Sequence, residues 1–122
     1  MNQQTHQIES AQKSLSRVIE GLEAARANLG EGFEKAIDLI LNTEGKLIVC
    51  GVGKSGLIAQ KIAATLSSTG TPSVFLHAVE ALHGDLGLVA EGDTALMLSN
   101  SGSTELVRLV PFLKQRNLPI IS

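Results

Sequence analysis

The chain has 122 residues, 43% of them hydrophobic, which is enough apolar side chain for one folded domain and excludes a disordered polypeptide. Aromatic residues make up only 2%, and ten basic against twelve acidic residues give a formal charge of −2. These values argue against nucleic-acid binding and against an anionic membrane surface. The single cysteine, Cys50, lies in an apolar run. We therefore expect a small core residue in a protein of the reducing cytoplasm, with neither nucleic acid nor membrane as partner.

Two helices are predicted at the start of the chain. Over residues 8–29, apolar side chains recur at alternating steps of three and four, which indicates one amphipathic helix. We expect its apolar stripe to pack against its own domain or a sister subunit, with a short coiled coil as the alternative. Glycines at 30 and 32 interrupt the pattern, and a second helix is predicted over residues 33–41. The predicted organisation is therefore an N-terminal helical region, residues 1–44, followed by a separate domain, residues 45–122.

The second region alternates strands with helices. Short apolar runs predict strands at residues 47–50, 73–76, 94–98 and 118–121, and helical spacing predicts helices at 55–68 and 103–115. This alternation is typical of an α/β fold, an α-β-α sandwich on a parallel sheet of Rossmann-like or flavodoxin-like type. Ligands of such folds bind beyond the carboxyl ends of the strands. Because the chain ends directly after the fourth strand, we expect it to be part of a longer protein.

Apolar spacing also predicts which faces of these two helices are buried. The positions predicted to face the core are Ile58, Ile62 and Leu66 in the first helix and Leu106, Leu109, Val110 and Leu113 in the second.

A glycine-rich loop, Gly-Val-Gly-Lys-Ser-Gly at 51–56, follows the first predicted strand and opens a helix. Its spacing matches the dinucleotide fingerprint, but the end of the second strand holds Leu76 and His77 where that site needs an acidic residue. A P-loop is excluded as well, because Ile48 occupies the position of its first glycine. What remains is an anion site made by backbone amides, with Lys54 at its mouth, or a plain turn with a solvated lysine.

A second loop, Ser-Asn-Ser-Gly-Ser-Thr at 99–104, follows the third predicted strand. A helix N-cap needs only one hydroxyl, whereas this loop carries four, so the pattern favours phosphate binding. Glu105 follows in the first turn of the helix, where a carboxylate is favoured with or without a catalytic role.

Two histidines, His77 and His83, lie between these loops together with Glu80 and Asp85. Such side chains can bind a divalent metal or move protons near neutral pH. Their spacing matches no tight zinc signature, and the other interpretation is that His83 and Asp85 hydrogen-bond an irregular loop together.

With these loops in view, the chain resembles a SIS (sugar isomerase) domain, and more narrowly the KpsF/GutQ-type arabinose-5-phosphate isomerases. The resemblance covers about residues 45–122. Four stretches carry it: GVGKSG at 51–56, AATLSSTGTP at 63–72, EALHGDLG at 80–87 and SNSGSTE at 99–105. The serine-rich loop is shared by SIS domains generally, and the TGTP and HGDLG stretches indicate the narrower group.

The resemblance implies an isomerase that needs no cofactor and interconverts D-ribulose 5-phosphate and D-arabinose 5-phosphate through an enediol. In that family the reaction feeds the Kdo sugar of lipopolysaccharide or capsule. The resemblance further implies catalytic roles for Lys54 and Glu105, and an inhibitory zinc ion on His77. The positions implied to bind substrate are Gly53, Ser55, Gly70, Thr71, His77, His83, Ser99, Ser101, Ser103 and Thr104.

The resemblance also implies a homo-oligomer, a tetramer, with active sites between subunits. Family members continue with the rest of the SIS domain, including a further Glu and His, and usually with paired CBS modules. We therefore expect this chain to hold about half of an active site. Two other functions stay open: a phosphosugar-binding module without catalysis, and an inactive fragment.

Overall fold

The computed structural model describes residues 2–102 and 104–122. Two compact units are present, Met1–Lys35 and Ala36–Ser122. Helix α1 (Gln3–Ala27) lies in the first unit, and helix α2 (Glu31–Leu41) runs from the first unit into the second. Both predicted helices are thus confirmed. No described residue of α1 is buried, and the partner of its apolar stripe stays a prediction. Across the described ranges, no helix combines the length and apolarity needed to cross a bilayer.

The second unit is built on a parallel sheet, which confirms the α/β prediction. Among the described residues the strand order is β2-β1-β3-β4, and every pairing is parallel. The elements that follow α2 are β1 (Leu47–Gly51), α3 (Gly53–Ser68), β2 (Ser73–His77), α4 (Ala78–Leu82), a 3₁₀ helix (Asp85–Leu88), β3 (Thr94–Met97), α5 (Thr104–Gln115) and β4 (Ile120–Ile121).

Strand β1 lies between β2 and β3 and sends alternate side chains into two separate cores. Ile48 and Cys50 pack in one core with residues of α4 and α5. Leu47 and Val49 pack in the other with residues of α3. The sheet therefore separates helices on two faces, as the α-β-α prediction requires. Burial raises the pKa of the Cys50 thiol to about 12, which confirms Cys50 as a core residue in its uncharged form.

The predicted core face of α3 is partly wrong. Ile58 is exposed, and the buried residues are Gly56, Ala59 and Ala63, with Ile62 and Leu66 half-buried beside them. Small side chains let the helix approach the sheet closely. A prediction based on the spacing of large apolar residues therefore misses a buried face that is made of glycine and alanine.

The start of α3 touches the end of β1. A Cβ atom added to Gly51 would lie 2.7 Å from the backbone carbon and oxygen of Ser55, closer than real contacts allow. On the far side of the sheet the prediction for α5 is confirmed, because Leu106, Leu109 and Leu113 are buried and Val110 packs against the same core.

The segment after β2 is more regular than the sequence indicates. We predicted an irregular loop, whereas α4 and the 3₁₀ helix occupy most of residues 78–88. Elements of five and four residues are too short to show a helical period. His83 and Asp85 lie at the junction of these two helices, and no side-chain hydrogen bond of theirs is found within the described part of the chain.

At the amino-terminal edge of the sheet, Asp93 links the turns that precede β1 and β3. It is 2% exposed, and its carboxylate accepts hydrogen bonds from Lys46 N (2.8 Å), Lys46 Nζ (2.8 Å) and Ala90 N (2.9 Å). Burial alone would raise the pKa of Asp93, but the hydrogen bonds from Lys46 and Ala90, with the Lys46 charge, lower it below its ordinary value.

Candidate functional site

Three segments leave the carboxyl-terminal edge of the sheet next to one another: the glycine-rich loop after β1, helix α4 directly after β2, and the serine-rich loop after β3. Gly51 pairs in register with His77, so the glycine-rich loop after β1 begins beside the start of α4. On the other side, Leu98 N donates to Cys50 O (2.9 Å), which sets the serine-rich loop after β3 beside β1. Neighbouring strands lie about 4.8 Å apart, so the three segments begin within about 10 Å. The sheet order thus brings together the loops that the sequence singled out.

The glycine-rich loop is shorter than predicted, because α3 already begins at Gly53. Gly53 has a positive φ of 60°, the left-handed region that favours glycine. Lys54 is exposed and Ser55 half-buried in the first turn. The N-cap residue Val52 makes no side-chain hydrogen bond to the helix, so no cap side chain occupies the amides of that turn. An uncapped helix start is a suitable place for an anion.

The serine-rich loop is partly closed by its own side chains. Gly102 N donates to Ser99 Oγ (2.7 Å), and Gly102 has a positive φ of 66°. That amide is therefore engaged within the loop. Ser101 and Thr104 are exposed, and Glu105 is half-buried in the first turn of α5. Ser103, the remaining predicted phosphate contact, lies outside the described residues.

His77 closes β2 and caps α4. Its Nδ1 accepts a hydrogen bond from Val79 N (3.2 Å), and the ring is half-buried. The Phe75 ring meets it edge-on, with ring centroids 6.2 Å apart and an interplanar angle of 84°. His83 follows α4 and is exposed. Of the two histidines predicted to bind substrate, His77 therefore has a defined ring orientation, whereas His83 is exposed.

The described residues do not fit the predicted zinc ion well. They include no group of three or more His, Cys, Asp or Glu side chains arranged to hold a metal. His77 Nδ1 is already an acceptor for Val79 N–H. Zinc on Nε2 would move the ring proton to Nδ1, where it would face that N–H donor. Zinc binding thus requires the ring to leave its position, and the ion stays a prediction.

Gly70 and Thr71 lie at the opposite edge of the sheet. They precede β2, and they line a cavity of about 230 Å³ together with Gly45 and Leu47, at the amino-terminal end of β1. Within one chain the structure does not bring these two predicted substrate contacts together with Lys54 or His77. The sequence reasoning missed this separation, although the position of both residues before a predicted strand already signals it.

The sequence reasoning also missed Phe75 and the Val79 amide as partners of His77. The sequence predicts Phe75 only as part of a strand, although the alternation along β2 does indicate that residues 75 and 77 share a face. A backbone amide carries no sequence signal, so Val79 could not be found in this way.

Comparison with known proteins decides the family. Residues 40–122 match the SIS domain model. The chain belongs to the SIS domain family. It is 46% identical over 123 residues to a Pseudomonas aeruginosa protein named arabinose 5-phosphate isomerase KdsD, covering 100% of this chain and 38% of the relative. To Escherichia coli K12 arabinose 5-phosphate isomerase GutQ it is 46% identical over 108 residues, 86% of this chain and 34% of the relative. This SIS chain thus spans little more than a third of these curated relatives.

Solved structures agree with the fold. The E. coli CFT073 protein c3406, solved in complex with arabinose 5-phosphate, superposes with a TM-score of 0.90 at 40% identity, covering 98% of this SIS chain and 64% of that one. Phosphoheptose isomerase GmhA from Neisseria gonorrhoeae gives a TM-score of 0.75 at 21% identity, covering 92% of this chain and 71% of that one, and this likeness concerns the fold alone.

Proposed function

We propose that this SIS chain is part of an aldose–ketose isomerase that interconverts D-ribulose 5-phosphate and D-arabinose 5-phosphate. One observation carries the proposal: the whole chain aligns at 46% identity with a protein named as an arabinose 5-phosphate isomerase. The c3406 structure, 40% identical to this chain and bound to arabinose 5-phosphate, supports a phosphosugar as the ligand. The arrangement of the two loops and the start of α4 at one edge of the sheet supports the same assignment.

The carboxyl-terminal edge offers two places for a phosphate group. One is the uncapped start of α3, with Lys54 exposed above it. The other is the start of α5, a helix of twelve residues, where the Ser101 and Thr104 hydroxyls are exposed. Hydroxyl and amide donors at a helix start suit phosphate oxygens. We assign the phosphate to the second place, which leaves Lys54 near the sugar.

The reaction moves one proton between adjacent carbons. A base removes the C2 proton of the aldose, the electron pair forms a C1=C2 double bond, and O1 takes up a proton. The resulting enediol gains a proton at C1 and loses one from O2, which gives the C2 ketone. In this proposal the Glu105 carboxylate is a candidate base, and Lys54 stabilises the oxygen that becomes negative.

The proposed assembly is a homo-oligomer with sites between subunits. It accounts for Gly70 and Thr71, which lie at the wrong edge to reach the sugar in their own chain and so need a second copy. In this proposal residues 45–122 form the phosphosugar-binding domain and residues 1–44 form the helical region. The proposed setting is the cytoplasm, with arabinose 5-phosphate passing on to Kdo for lipopolysaccharide or capsule.

The test is an NMR time course of the purified chain with D-arabinose 5-phosphate in D2O. We expect ketose to appear with deuterium at C1, and aldose that has returned through the enediol to carry deuterium at C2, because the enediol exchanges the migrating proton with solvent. Lys54→Ala should slow both processes. The matched control is Lys61→Ala, an exposed lysine two turns further along α3, which should leave them unchanged.

Three outcomes separate the candidate functions. Exchange that depends on Lys54 supports the isomerase. Saturable binding without exchange, with amide shifts at Gly53 and Ser101, indicates that these 122 residues form a phosphosugar-binding module and refutes catalysis by this chain alone. If the chain shows no exchange and no binding, the proposal for this chain is overturned.

A further inference from the structure

The orientation of His77 restricts what its imidazole can do. A neutral imidazole carries a proton on one nitrogen only, and the other nitrogen is an acceptor. Nδ1 accepts from Val79 N at 3.2 Å, so the proton belongs on Nε2. The opposite tautomer would point an N–H group at an N–H group, which leaves two donors without an acceptor.

One further ring contact, with Phe75, acts on this orientation. The edge-on Phe75 ring limits rotation of the imidazole about its Cβ–Cγ bond. Phe75 packs against the core that contains Ala59 and Ala63 of α3. Its Cζ atom would lie 3.7 Å from a Cβ added to Gly56, in the first turn of that helix. The ring position of His77 is thus tied to the helix that carries Lys54.

From these contacts we propose that neutral His77 donates a hydrogen bond through Nε2–H to an oxygen of the phosphosugar and does not act as the base. The identity of the acceptor rests on the proposed function, whereas the tautomer rests on the chain's own contacts. His77 pairs in register with Gly51, which sets it beside the glycine-rich loop and within the candidate site. A neutral imidazole that donates to a reacting oxygen is an established device in enediol chemistry.

In this assignment Val79 and Phe75 are positioning residues. Val79 contributes only its amide, which fixes the proton on Nε2, and Phe75 fixes the plane of the ring. Since Nε2 already carries a proton and Nδ1 already accepts one hydrogen bond, the neutral ring has no free basic nitrogen. The base that removes the C2 proton is then a carboxylate, for which Glu105 is the candidate.

The tautomer is measured directly by long-range ¹H–¹⁵N correlation NMR of the ¹⁵N-labelled chain at about pH 8, well above the pKa of free histidine. We expect His77 to show only the Nε2–H form. His6 and His83 are exposed internal controls, and they should show the tautomer mixture of free imidazole. A His77 spectrum like the controls, or an Nδ1–H form, overturns the inference.

Phe75→Leu tests the positioning role. It should move the His77 signals toward those of the exposed controls while the chain stays folded by far-UV circular dichroism. The matched control is Phe33→Leu, an aromatic residue in α2 that is exposed, and it should leave His77 unchanged. Unchanged His77 signals in Phe75→Leu refute the role of Phe75.

Donation to the ligand is tested by the affinity for D-arabinose 5-phosphate. The Gln side-chain nitrogen reaches the place of imidazole Nε2, so His77→Gln should stay within about threefold of the unsubstituted chain, whereas the shorter His77→Asn should bind about tenfold more weakly. Unchanged affinity in His77→Asn overturns the donation. If the unsubstituted chain does not bind the sugar while the tautomer is as expected, the proposed function fails and the donation fails with it.

Discussion

Removal of the Asp93 carboxylate tests the polar link between the turns that precede β1 and β3. This side chain is 2% exposed and connects Lys46, just before β1, with Ala90, before β3. The change is Asp93→Ala. It leaves two backbone N–H groups and one ammonium without their acceptor, and we expect the chain to fold with reduced stability.

The magnitude follows from the three hydrogen bonds. Each backbone N–H loses a hydrogen bond to a charged carboxylate, which costs about 1.5 kcal/mol at the low end of the range for such bonds. The bond from Lys46 Nζ involves charge, but the Lys46 side chain is 29% exposed, so water weakens it and we assign it about 1 kcal/mol as well. The free energy of unfolding should therefore fall by about 4 kcal/mol, within the range for breaking a buried pair.

The pH dependence has a definite sign. The pKa of Asp93 is lower in the folded chain than in the unfolded chain, so its stabilisation is complete above the unfolded value, about 3.9. It is lost as the pH falls through the lower folded value. The difference in stability between the unsubstituted chain and Asp93→Ala should therefore be constant near neutral pH and shrink below about pH 4.

The assay is urea unfolding followed by far-UV circular dichroism at several pH values. Glu91→Ala is the matched control, since Glu91 is an exposed carboxylate two residues away, and it should change stability by less than about 0.5 kcal/mol. If Asp93→Ala is as stable as this control at neutral pH, or if its deficit grows on acidification, the reasoning is refuted.

Three further changes test the packing and the site. Gly51→Ala should lower the free energy of urea unfolding by about 1–3 kcal/mol, because its Cβ would meet the Ser55 backbone. Its control is Gly21→Ala, whose Cβ would have nothing within 4 Å and which should stabilise α1 by about 0.5–1 kcal/mol. Equal effects of the two substitutions contradict this. Lys54→Ala, in protein that shows turnover, should lower kcat by about 10²–10³ without unfolding, and wild-type turnover removes Lys54 from the mechanism. Ser101→Ala should raise KM by about tenfold with little change in kcat, and the reverse pattern contradicts the phosphate role.

Much of the fold could be predicted because buried parallel strands and their crossover helices have strong sequence patterns. The run at residues 47–50 and the leucines of α5 have the burial that the sequence predicts. The predicted core face of α3 was wrong because side-chain size decides burial there, as at exposed Ile58 beside buried Ala59. The prediction was also wrong for α4, a single turn whose period is too short to detect.

The candidate site was predictable to the level of its loops. Lys54 and His77 were found from glycine spacing and from their places after strands, and the sheet order sets these loops side by side. The orientation of His77 was not predictable, because it depends on a backbone amide and a ring contact. The resemblance indicated Gly70 and Thr71 as substrate contacts, but a resemblance to a family motif does not state which chain supplies them.

The central position of β1 has a consequence for the motions of the site. Local opening of a protein begins at elements with few neighbours, such as β2, which among the described residues pairs with β1 alone. Strand β1 is paired on both sides and packed on both faces, so it should be among the last elements to open. The first turn of α3, which carries Lys54, follows this strand after one residue, Val52. Its geometry should therefore survive fluctuations that separate β2 from the sheet.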